Sequence, residues 1–95
     1  MYSTGRRVGS PLFTAFVLPN NSGASRVGFT TPRALGKSVV RNRIRRRLRE
    51  VVRLQQADLA PGWDVVLNPR RNLLDAPRVR IEEEVRRLFA TLAAQ

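Results

Sequence analysis

The sequence predicts a mixed fold of α and β elements built around one long basic helix. Three observations predict it. Short apolar runs bounded by proline, glycine and asparagine have the pattern of strands. Two later stretches repeat their apolar residues at helical spacing instead. The order strand, long helix, strand from Arg26 to Asn68 is that of a crossover unit.

Residues 1–10, rich in Gly, Ser and Arg, read as a loose lead-in. Leu12 to Leu18 is dense in Phe, Val and Leu and forms a strand with apolar residues on both faces. Pro19 ends it, and Asn20-Asn21-Ser22-Gly23 is a turn by composition. Arg26 to Thr31 is a second strand, with Val27 and Phe29 on one face and Arg26, Gly28 and Thr30 on the other. Pro32 stops it. After Gly36, Ser38 can cap a helix that runs to about Gln56. Its core stripe is Val40, Ile44, Leu48, Val51 and Val52. Arg41, Arg45, Arg49 and Arg53 recur every four residues along a neighbouring face, widened by Asn42 and Arg46. Pro61-Gly62 closes the next loop, and Trp63 to Asn68 alternates as a third strand. Asp75 and Pro77 begin a last helix, since proline fits a first turn. Its buried stripe is Ile81, Val85, Leu88, Phe89 and Leu92, and Glu82–Arg86 and Glu83–Arg87 are supportive pairs outside it.

Ninety-five residues make one domain with a modest core, 1–95, and leave no room for a second. No apolar run approaches the ~18 residues of a membrane-spanning helix, and the first residues lack the apolar stretch of a signal peptide. No membrane partner and a cytoplasmic location are the expectation. Cysteine and histidine are both absent, which removes disulfides, thiolate nucleophiles, imidazole bases and ordinary zinc sites. The seven carboxylates include Asp58, Asp64 and Asp75, which are scattered along the chain. No catalytic residue and no metal ligand is expected of the protein, and Asp64 reads as a structural or edge residue.

The net charge of +11 sits in one block. Residues 26–53 hold nine arginines and Lys37 against Glu50 alone, whereas residues 54–95 balance six arginines with six acids. A focused field of one sign suits a polyanion. Like charges four apart on a helix repel by a few tenths of a kcal/mol per pair, roughly, and a phosphate backbone would offset that cost. A solvated charged face would account for many basic helices. Seven arginines within 41–53, beside a separate apolar stripe, argue for RNA instead. Phe13, Phe16, Phe29 and Trp63 read first as core, although a sheet-face aromatic can also stack an unpaired base.

The run Gly36-Lys37-Ser38-Val39-Val40-Arg41-Asn42-Arg43-Ile44-Arg45-Arg46-Arg47-Leu48-Arg49-Glu50 resembles the signature of the bacterial ribonuclease P protein family. Arg26-Val27-Gly28-Phe29-Thr30-Thr31 is similar to the family's preceding strand, and Asp64-Val65-Val66-Leu67 with Arg70 to its later one. The likeness spans about residues 5–92. Pro32, and Arg33 followed by Ala34, depart from the usual serine and lysine pair. Tyr2 to Arg7 matches only the tail of an N-terminal helix whose basic residues and phenylalanines help wall a cleft, so most of that helix is missing from the match.

The resemblance implies an α+β fold: a small two-layer α/β sandwich with a central, mainly antiparallel sheet of three to four strands. The arginine-rich helix lies in its β-α-β crossover, and a second helix closes the chain. It also implies a non-catalytic subunit of a ribonucleoprotein endoribonuclease. The partners are then a catalytic RNA and precursor transfer RNA, whose 5′ leader is removed with Mg2+ in an RNA-based active site and no cofactor held tightly by the protein. Arg41, Asn42, Arg43, Arg45, Arg46 and Arg49 fall on the motif; Arg33 and Lys37 precede it and Arg53 continues its spacing. Phe13, Phe16 and Arg26 are the candidates for a leader cleft on the sheet. Other readings stay open on composition alone. A ribosomal protein would share the charge logic. A DNA-binding architectural protein would lay the helix in a groove, but only Asn42, Gln55 and Gln56 accompany its arginines, which suits phosphates better than base edges. An autonomous nuclease would need clustered carboxylates.

Overall fold

The computed structural model describes residues 5–20 and 23–94. Its strands are β1 (Arg6–Gly9), β2 (Phe13–Pro19), β3 (Arg26–Phe29) and β4 (Trp63–Pro69), and its helices are α1 (Ser38–Gln55) and α2 (Arg78–Ala93). The sheet order is β1-β2-β4-β3. β1 with β2 and β2 with β4 are antiparallel, while β3 and β4, joined through α1, are parallel. This is the mixed α+β architecture, with four strands. No helix among the described residues is long and apolar enough to cross a membrane.

Alternation divides the sheet into two faces. Phe13, Ala15 and Val17 of β2 and Val65, Leu67 and Pro69 of β4 are buried. They meet Ile44, Leu48, Val51 and Val52 of α1 and Ile81, Val85, Leu88, Phe89 and Leu92 of α2 in one core. Val40 and Trp63 pack against its margin. The intervening residues alternate to the opposite face, where Phe16 and Val66 are exposed and Thr14, Leu18, Asp64 and Asn68 are half-buried. One side of the sheet is thus core and the other is open.

Several local expectations are corrected. The lead-in is not loose throughout, because Arg6–Gly9 is an edge strand; Tyr2 lies outside the described residues, as do Asn21 and Ser22 of the composition-based turn. Four residues with a single apolar side chain carry little strand signal. β2 supplies the pairing through the register Arg7↔Phe16 and Val8↔Ala15. Ser38 is the first helical residue rather than the cap. Lys37 holds that position in extended conformation, without a side-chain bond, and the Ser38 hydroxyl oxygen instead accepts from Arg41 Nη2 at 3.2 Å. Gly36 turns the chain into α1 at a φ of 131°, a region that disfavours any side chain, although a Cβ there would only come into van der Waals contact with Val40. α2 starts at Arg78, and Glu82 pairs with Arg78 at 3.3 Å rather than with Arg86.

Candidate nucleic-acid interface

The basic residues of α1 take three different roles once the helix is docked. Asn42, Arg45, Arg46 and Arg49, at helical spacings of three and four, line one shallow recess of about 250 Å³. Arg45 Nη2 donates to Asn42 Oδ1 at 2.6 Å, which leaves the Asn42 amide group directed by its arginine neighbour. The Arg49 guanidinium lies 5.7 Å from the Phe29 ring centre, a cation–π contact that holds it toward the sheet. The helix's one acid, Glu50, pairs with Arg78 of α2 at 3.2 Å. The recess is therefore lined by three guanidinium groups and an amide, with no carboxylate in its wall.

Arg47 does something else. Its Nη1 donates to the carbonyls of Leu73 and Leu74 at 2.8 and 2.6 Å, and Nη2 to that of Ala76 at 2.7 Å. These oxygens belong to the short 3-10 turn Arg71–Leu74 and the residues leading into α2. Arg47 thus fastens the two helices together. Arg41 also turns inward: Nη1 donates to the Thr31 carbonyl at 3.4 Å, and its Nε is buried. Arg43 and Arg53 are exposed, as are Arg33 and Lys37 ahead of the helix. Arg43 lies about 100° around the helix from Asn42, on another flank.

The open face of the sheet forms a second surface. The register aligns Arg7, Phe16, Val66 and Gly28 in one row across all four strands, with Leu18, Asp64 and Arg26 in the next. Arg7, Phe16, Leu18, Asp64 and Val66 line a concavity of about 610 Å³. Phe16 is 42% exposed, and the Arg7 guanidinium stands 5.2 Å from its ring centre. Arg26 grips Asp64 with two bonds of 3.2 Å, and Asn20 Nδ2 donates to the same carboxylate at 2.8 Å. Those bonds, Arg26's first and Asn20's next, hold the Asp64 carboxyl below its ordinary pKa.

Of the three cleft candidates, Phe16 and Arg26 lie on this face. Phe13 does not, being 1% exposed in the core, because it is three residues from Phe16 in a strand of period two. Arg7, which is not a candidate from the sequence, also lines this face. Its signal, an arginine one place before a lone valine, has meaning only once Val8 is known to face the core.

A family model described as Ribonuclease P matches residues 1–93. The chain belongs to the ribonuclease P protein family. It is similar to the ribonuclease P protein component of Symbiobacterium thermophilum, with 41% identity over 94% of this chain and 78% of that protein. The component from Thermoanaerobacter sp. strain X514 is 34% identical over 94% of this chain and 77% of its own length. The ribonuclease P protein from Thermotoga maritima has a similar structure, with a TM-score of 0.82 and 25% identity over 93% of this chain and 84% of that one.

As a ribonuclease P protein, the chain is the protein part of a ribonucleoprotein endoribonuclease, and RNA is its partner. Among the described residues no group of three or more Asp, Glu, His or Cys is gathered as a metal site. Asp64, the carboxylate in the concavity, is already held by Arg26 and Asn20.

Proposed function

We propose that the arginine face of α1 binds the catalytic RNA of ribonuclease P while the open face of the sheet takes the single-stranded 5′ leader of precursor transfer RNA. The observation that carries this reading is the recess of Asn42, Arg45, Arg46 and Arg49, a wall of planar cations and an amide with no carboxylate in its lining. Guanidinium forks grip phosphate bidentately, and such contacts position an RNA without reading its sequence. Arg33, Lys37, Arg43 and Arg53 extend the cationic surface around the recess. On the other side of the molecule, Phe16 offers a ring for a base and Arg7 a cation for a phosphate. Arg26 contributes less free charge, because Asp64 neutralises it.

In this reading residues 1–95 act as one RNA-binding domain in the cytoplasm, Mg2+ is held by the RNA, and cleavage chemistry belongs to the RNA. The protein binds, orients and raises substrate affinity. Reconstitution with catalytic RNA and precursor transfer RNA tests it. The protein should increase leader-dependent binding and cleavage, and protein free of nucleic acid should not cleave in Mg2+. Robust turnover by the protein alone, abolished by replacing one of its own carboxylates, would overturn the reading.

A further inference from the structure

Glu84 is the buried charged residue of the described core, with a side chain 1% exposed. A carboxylate taken out of water requires partners. Arg80 Nη1 and Arg87 Nη1, on the same helix, reach it at 3.3 and 3.9 Å. The remaining partner comes from far along the chain: the Ser10 hydroxyl donates to Glu84 Oε1 at 3.0 Å. Ser10 is the first residue after β1.

The bonds around this turn are unequally shared. Asn72 Nδ2 donates to the Pro11 carbonyl at 2.9 Å, the Arg70 N–H to that of Leu12 at 2.8 Å, and the Leu12 N–H to the Ser10 hydroxyl oxygen at 3.2 Å. On the β1 side, the Ser10 N–H donates to the Phe13 carbonyl at 3.0 Å and its hydroxyl reaches Glu84. β1 itself is a four-residue edge strand whose one apolar side chain, Val8, packs against the margin of the core. The backbone ladder to β2 sets the register of β1, and the Ser10–Glu84 bond adds a directional anchor at the end of the strand. Three residues from Ser10, on the opposite side of the sheet from Glu84, stands Arg7 over the Phe16 ring.

We propose that Glu84 is a positioning residue for the open face: through Ser10 it anchors the end of β1 against the helical layer and so keeps Arg7 over Phe16. The proposal rests on the reading of that face as the leader surface. It separates anchoring from stability. The Arg80 and Arg87 side chains are 44% and 71% exposed, so both turn to water when the carboxylate is removed, and Glu84→Leu leaves no buried charge unpaired while it releases β1.

The test compares reconstituted ribonucleoproteins carrying the wild-type protein, Glu84→Leu, Glu84→Gln, Ser10→Ala or Arg7→Ala. The readout is the ratio of affinities for precursor transfer RNA with a leader and for mature transfer RNA, with hydrogen exchange of residues 6–9 measured on the same proteins. Arg7→Ala should lower the ratio. Glu84→Leu and Ser10→Ala should lower it to the same level and speed exchange in β1 but not in α1. Glu84→Gln, whose amide oxygen still accepts from Ser10, should keep the wild-type ratio. Should Glu84→Leu fail to fold, Glu84→Met takes its place, because Ser10→Ala also removes the acceptor of the Leu12 N–H. A wild-type ratio in folded Glu84→Leu or in Ser10→Ala, with Arg7→Ala impaired, would refute the proposal. If Arg7→Ala itself has no effect, the leader reading has failed instead. The exchange data then decide: unchanged β1 exchange refutes the Glu84 pin, and faster exchange upholds it.

Discussion

Phe13 and Phe16 sit on opposite faces of β2, and the difference should be measurable. Phe13 is 1% exposed among the side chains of both layers. Phe13→Ala should therefore cost about 3–5 kcal/mol in urea unfolding, a large share of a small domain's stability. Phe16 is 42% exposed and keeps only neighbours on the open face, so Phe16→Ala should leave the melting temperature nearly unchanged. Its loss should appear with substrates that carry a leader. Asp64 gives a pH-dependent counterpart. Its folded-state pKa lies below the ordinary value of 3.8 because Arg26 and Asn20 bind the charged form. A depressed carboxylate stabilises the fold above the unfolded-state value and loses that contribution as pH falls through the folded-state one. The stability gap between wild type and Asp64→Asn should thus be present at neutral pH and close below the carboxylate range. A gap that widens on acidification would contradict the Asp64 bonding described above.

At the scale of an element, α1 shows that spacing alone does not give an arginine its job. Arg46 and Arg47 are neighbours in sequence, yet one lines the recess and the other is bonded to three carbonyls. Arg47→Ala should destabilise the fold by about 2–3 kcal/mol, since it leaves carbonyl oxygens at the α1–α2 junction without their charged donor. Arg46→Ala should spare stability and shallow the salt dependence of RNA affinity by roughly one contact. Arg46→Glu should weaken assembly further by setting like charge against phosphate. Thermal melts beside filter-binding titrations separate the pair. If Arg47→Ala changed only the salt slope, the latch assignment would be wrong. Arg41 belongs nearer to Arg47 in this respect, since its guanidinium meets the Thr31 carbonyl and the Ser38 hydroxyl.

At the scale of the whole molecule, the two surfaces lie on different layers: one on a helix, the other on the sheet face that both helices leave uncovered. A protein arranged this way can hold one RNA with its helical side while its sheet meets another. The helical side should dominate the electrostatics. If it neutralises roughly six phosphates, log affinity against log salt should fall with a slope of about −4 to −5. A slope near zero would mean that the basic block is only solvated.

The elements themselves were largely legible from the chain. Helical period marked the buried stripes of α1 and α2, apolar density marked β2, alternation marked β3 and β4, and the charge block on residues 26–53 marked the basic helix. Each is a local pattern repeated several times, so single substitutions do not obscure it. Tertiary structure decided what depends on phase, partner and depth. A strand apolar on both faces does not say which face is covered, so Phe13 and Phe16 could be told apart only once the helices were in place. β1 has too little pattern of its own and exists because β2 supplies its bonds and register. β4 lies between β2 and β3, a pairing made across the chain rather than along it. Arg41, Arg47 and Glu84 look in sequence like other surface charges. Their partners, the carbonyls of Thr31, Leu73, Leu74 and Ala76 and the hydroxyl of Ser10, are brought to them by the fold, and a hydrogen bond depends on that proximity rather than on residue type.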